Sequence, residues 1–217
     1  MFPPPETFEP FDAPRLKLRR ARHHISDLAS EIQQAAADPA PSPATESIAE
    51  YLERVDRLWF QPLMLAPIIG DAVHNLRSAL DILACDLAKL NGQSDDGVYF
   101  PFAKSESELD RQIAGRRFDR AGPAAVAELK ALRPYKGGNT LLRGVHDLDI
   151  QDKHQFIIPV DGSVRTLWNS GQGLEVYGVL WFGNGGPFAG EQVVHTLGLL
   201  AGEVERTIKV FETLHGR

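Results

Sequence analysis

Two stretches of this chain concentrate the residue types that move protons and hold phosphate. "GDAVHNLRSALDILACDLA", residues 70–88, carries Asp71, His74, Asn75, Arg77 and Asp81 in the first turns of a helical pattern. The second, "VHDLDIQDKHQ", brings His146, Asp147, Asp149, Asp152, Lys153 and His154 together. Each residue of a helix advances by about 100°, so His74, Ser78, Asp81 and Cys85 fall within a stripe of roughly 60°. Asp71 and Arg77 flank that stripe, and it runs beside a leucine seam. Side chains at such a boundary converge at clefts between helices, where a bundle can build a site.

Three chemistries can use this inventory. A metal-free site would take His154 and His74 as acid or base, with Asp81 and Asp149 as the carboxylates that orient or share protons. Lys153 and Arg77 would steady developing phosphate charge, and Asn75, His146 and Asp152 would complete the substrate-binding set. The histidines and carboxylates could instead bind a divalent cation and support a metal-assisted hydrolase. No compact HExxH arrangement or cysteine set is present, so no metal ligands and no cofactor are expected. The third reading is a non-enzymatic binding or assembly protein, in which both clusters form a structural hydrogen-bond and ion-pair network.

The elements that must position these residues read mainly as helices. Residues 1–14, rich in Pro and Phe, read as an extended arm. A helix opens near Pro14 or Arg15 and carries Leu16, Ile25, Leu28 and Ile32. The prolines of "DPAPSPAT" break it. Thr45 or Glu46 opens the next helix, which Pro62 and Pro67 should kink or interrupt. From Ile69, Val73, Leu76, Leu80, Leu83, Leu87 and Leu90 recur at spacings of 3 and 4, an apolar seam that faces other helices. Asn91-Gly92 suits its C-terminal cap. Residues 93–138 form an excursion with an extended "VYFPF" and two short helices around 106–113 and 123–132. Asn139 caps a motif helix over 139–154. "QFIIPV", "VRTLW" and "LEVYGVLWF" over 155–183 read as a small antiparallel β-meander, and a closing helix spans 187–215. The expected fold is one α+β domain, mainly α: a helical bundle with a β-meander before its C-terminal helix.

Composition narrows the class. At 217 residues, 43% of them hydrophobic, the chain can bury a core without disulfide or metal. One cysteine, Cys85, cannot form an internal disulfide, which favours a reducing compartment. No signal peptide pattern and no membrane-length apolar run is visible, so a cytoplasmic protein without membrane attachment is expected. The net charge of −6 argues against a general electrostatic nucleic-acid binder. The basic run "RLKLRRARHH", residues 15–24, reads as a solvated helix face, with phosphate binding as the alternative. "GNGG" at 183–186 lacks a phosphate-loop lysine and reads as a turn. Cys85 and His195 read as packing groups.

"GDAVHNLRSALD" followed by "VHDLDIQDKH" resembles a family of uncharacterised bacterial proteins, over roughly residues 69–158. A looser similarity is to HEPN domains, helical bundles that often dimerise and act as metal-independent ribonucleases. Their signature is an Arg followed, after four to six residues, by a His. Arg77 suits the first position, but Ile82 stands where the pattern "NLRSALDH" has histidine. Arg19 and His24 also meet the spacing. The resemblance implies RNA or a nucleotide as partner, a homodimer, and nucleic-acid or nucleotide processing. His74 or His154 would then replace the missing histidine.

Overall fold

In the computed structural model, residues 9–37, 47, 50, 64–155, 158–169 and 173–216 are described; the side chains of 35–37, 154–155, 164–169 and 173–176 lie outside that description. The chain forms helices α1 (Asp12–Ala37), α2 (Ala66–Leu90), α3 (Leu109–Gly115), α4 (Pro123–Leu132), α5 (Thr140–Gln155) and α6 (Val193–Leu214), with a small sheet of β1 (Val160–Asn169) and β2 (Gly173–Phe182) that packs on α1 and α6 through β2. The architecture is α+β and mainly α, as expected. The helix expected from Thr45 or Glu46 falls largely outside the described residues.

The leucine seam makes α2 the centre of the bundle. Ile69, Val73, Leu76, Leu80, Leu83 and Leu87 are fully buried, and α2 packs against α1, α5 and α6. Pro67 sits in the first turn of α2, where its missing N–H costs no hydrogen bond; the helix that Pro62 and Pro67 were expected to interrupt lies largely outside the described residues. At the other end, Gly92 N–H donates to Lys89 O at 2.9 Å and Gln93 N–H to Ala88 O at 2.9 Å. That is a Schellman cap, closed by Gly92 at φ +68°.

On α1 the core side is Leu18, Ala21, Leu28 and Ile32, with Ile25 half-buried, whereas Leu16 is 40% exposed. The apolar face is therefore set from Leu18, and Leu16 belongs to the solvent side. Asn139 caps α5 as the sequence predicts, its Oδ1 accepting from Leu142 N–H at 3.0 Å.

Helix boundaries shift by a few residues: α1 starts at Asp12, inside the expected arm, and α6 at Val193 instead of 187. The motif helix, expected over 139–154, spans Thr140–Gln155 and carries Asp152 and Lys153 in its last turn. The β-meander is a two-stranded hairpin among the described residues, paired from Val160↔Phe182 to Asn169↔Gly173. Pro159 has no N–H for a ladder, so β1 starts after it; its carbonyl instead accepts from Gly183 N–H at 2.8 Å.

The stripe on α6, Val193, Leu197, Leu200, Val204, Ile208 and Phe211, is buried against the chain's own helices. Gly198 and Gly202 have nothing within 4 Å of where a side chain would begin. Among the described residues no helix is long and apolar enough to cross a membrane.

Candidate functional site

The packing of α5 on α2 brings the two sequence clusters together. His74 Nδ1 lies 3.4 Å from Asp149 Oδ1, and Lys153 Nζ lies 2.7 Å from Asp149 Oδ2. The Asp149 side chain is only 6% exposed, while those of His74 and Lys153 are about half exposed. A buried carboxylate thus stands behind an accessible imidazole, and an i,i+4 lysine neutralises it from its own helix. Extension of α5 through the DKH motif is what gives Lys153 that spacing.

Around this edge, His74 Nε2 is 3.5 Å from Ser78 Oγ. Asn75 Nδ2 donates to Asp71 O at 2.8 Å, and Lys17 of α1 reaches Asn75 Oδ1 at 3.4 Å. Asp152 lies over Gly70: a Cβ added there would sit 2.6 Å from Asp152 Oδ1. Burial raises the Asp152 pKa above the ordinary carboxylate value, and the neighbouring Asp149 and Asp71 add to the shift.

The remaining candidates form a separate, inner group. The Arg77 side chain is 10% exposed and its Nη1 lies 2.9 Å from Asp81 Oδ1. Its Nη2 donates to Phe100 O at 3.2 Å, while Asp81 Oδ1 accepts from Phe100 N–H at 3.0 Å. One ion pair therefore satisfies both backbone groups of Phe100. Burial lowers the Arg77 pKa and raises that of Asp81, and the attraction between the two opposes each shift.

Phe102 completes this inner group. Its ring centroid is 4.7 Å from Arg77 Cζ and it stacks on His146. Desolvation, reinforced by Arg77 and Arg143, lowers the His146 pKa to about 4. His146 Nδ1 is buried with no hydrogen-bond partner among the described residues.

Eight of the nine expected site residues thus fall into two groups by their contacts. His74, Asn75, Asp149, Asp152 and Lys153 share the outer edge, and Arg77, Asp81 and His146 the inner network. The side chain of His154 lies outside the described residues. Lys17 and Phe102 are participants that sequence reasoning did not single out; Lys17 was legible only as part of a basic run, and Phe102 as part of an extended segment. Among the described residues no group of three or more His, Cys, Asp or Glu side chains is placed to hold a metal ion.

No protein-family model matches this chain. Searches of curated proteins and of solved structures likewise return no significant match.

Proposed function

We propose that this chain is a HEPN-like RNA-processing protein that acts without a metal, with His74 as its proton-transfer group. The observation that carries this reading is the half-exposed His74 imidazole backed by the buried carboxylate of Asp149. With Nδ1–H donating to Asp149, Nε2 carries the lone pair and can take the proton of a ribose 2′-hydroxyl. The resulting oxygen attacks the adjacent phosphorus, closes a cyclic phosphate and expels the 5′-oxygen, which takes a proton from water, while the 2′-proton stays on His74 until it is released to solvent. Lys153 supplies positive charge beside the phosphoryl oxygens.

The basic run on α1 supports the same reading. Lys17, Arg20 and His24 recur at helical spacing within roughly 60° of one another, and Lys17 touches Asn75, the neighbour of His74. Lys17 and Arg20 are the cations of that row and can hold phosphates although the whole chain is acidic, whereas burial and the neighbouring Arg20 lower the pKa of His24, which would serve as an uncharged hydrogen-bonding group. Arg77 enters the proposal as a scaffold residue, because its buried guanidinium is committed to Asp81 and Phe100. A homodimer, which the resemblance implies, would need a face other than the buried stripe of α6.

The test is cleavage of single-stranded RNA oligonucleotides in the presence of EDTA. The expected products end in a cyclic phosphate, and His74→Ala should slow cleavage by about 100-fold or more. Undiminished cleavage by that variant, or no cleavage by the parent protein, overturns the proposal. The inner network favours a second reading, a non-enzymatic assembly protein, since Arg77, Asp81 and His146 hold loop and helices together. The absence of cleavage would leave that reading standing.

A further inference from the structure

A cleft of about 360 Å³ opens on the opposite side of α5 from Asp149. Thr140, Arg143 and Asp147 line it from one helical face, about half a revolution away from the Asp149 side chain. Tyr135 and Lys136 border it from the preceding loop, and Phe188 from the segment before α6. Its volume lies within the usual range for small-molecule sites, roughly 300–1,000 Å³.

The walls are held in place by short-range bonding. Ala103 O accepts from Arg143 Nη1 at 2.8 Å and from Lys136 N–H at 3.3 Å, so one carbonyl fixes both the arginine and the lysine backbone. Phe188 reaches the helix backbone at Gly144, where an added Cβ would lie 2.3 Å from the ring. Both bonds from Arg143 to Asp147 go to Oδ1, at 2.9 and 2.7 Å. Asp147 Oδ2 therefore accepts no described bond. The Lys136 ammonium and the Thr140 hydroxyl, both exposed, also make none among the described residues.

We infer that this cleft binds a nucleoside monophosphate whose base carries an exocyclic amino group. Lys136 and Thr140 suit the phosphate, the free oxygen of Asp147 suits an amino donor, and the Phe188 ring suits the face of a base. A bare anion would meet the carboxylate and a bare cation the lysine, so a ligand with both polarities satisfies the cleft best. The length agrees as well. Thr140 and Asp147 are seven residues apart on α5, about 10 Å along the axis at ~1.5 Å per residue, which is close to the span from phosphorus to amino group in an extended adenosine monophosphate. This site is independent of the His74 edge, and its ligand is bound rather than cleaved.

The experiment is calorimetric titration of the full chain with adenosine monophosphate, inosine monophosphate and adenosine. Adenosine monophosphate should bind, while the inosine nucleotide, which lacks the amino group, and adenosine, which lacks the phosphate, should each bind about tenfold more weakly. Lys136→Gln should weaken binding of the adenine nucleotide about tenfold with an unchanged melting temperature. Amide resonances of Gly144 and Phe188 should shift on titration. No binding at about 1 mM, equal affinity for all three compounds, or shifts centred on His74 instead of Gly144 would each overturn the inference.

Discussion

Phe102 and His146 stack with ring centroids 4.7 Å apart and planes within 4° of parallel. The imidazole is held neutral there, between the desolvation of the stack and the cations Arg77 and Arg143. Unfolding releases it to its ordinary value of 6.5, against about 4 in the folded chain. As pH falls, the unfolded chain therefore takes up the proton first. This residue's contribution to stability is complete above pH 6.5 and is lost progressively as pH falls towards 4.

Asp81 and Asp152 act with the opposite sign. Burial raises their pKa values, so the folded chain binds their protons first and gains stability as pH falls through the carboxylate range. Urea unfolding from pH 7.5 to pH 4.5 should show stability declining in the parent protein. In His146→Leu the decline above the carboxylate range should be clearly shallower, the remainder including His24, whose pKa burial also lowers. An identical slope in both proteins would contradict the assignment.

Arg77 and His74 lie one turn apart on α2 but should respond differently to truncation. Arg77→Ala strands the half-buried Asp81 carboxylate and the Phe100 carbonyl, and should cost about 3 kcal/mol. His74→Ala removes a half-exposed partner of Asp149, which keeps Lys153, and should cost less than about 1 kcal/mol. Chemical denaturation of the two variants at pH 7.5 checks the difference. Equal losses would mean that the outer edge is as structural as the inner network.

Two glycines provide a steric comparison. The nearest atoms that Gly70→Ala meets are those of the Asp152 carboxylate, the end of a side chain that can swing away, and helix propensity favours alanine by about 1 kcal/mol. That variant should keep its stability. Gly144→Ala meets the Phe188 ring, whose displacement should outweigh the propensity gain and leave a net loss of about 1 kcal/mol. Melting temperatures measured side by side decide the order, and a Gly144→Ala variant as stable as the parent would show that Phe188 is free to move.

The parts of the fold that sequence exposes are those with local causes. The leucine seam of α2, its Asn91-Gly92 cap and the Asn139 cap of α5 all depend on residues within a turn or two of each other. The burial of Arg77 was not legible in this way. A charge beside an apolar seam reads as exposed, and its carbonyl partner, Phe100, lies 23 residues away in a loop. The β-branched residues after His154 suggested an early strand, but nothing before Gln155 breaks the helix and Pro159 delays the ladder. The convergence of the two clusters followed from adjacent apolar seams, whereas their division into a His74–Asp149 edge and an Arg77–Phe100 network depends on long-range packing.

The clamp on Phe100 also bears on the order in which the chain assembles. Asp81 and Arg77 reach Phe100 across sequence separations of 19 and 23 residues, so the loop they close is short. Its closure costs little chain entropy and can precede the arrival of α5, whose partners lie much farther along the chain. The ring of Phe102 would then already be in place when His146 docks. In kinetic terms, replacing Arg77 should slow folding, while replacing His146 should chiefly hasten unfolding. Stopped-flow folding arms for the two variants would distinguish this sequence of events from one in which both contacts form together.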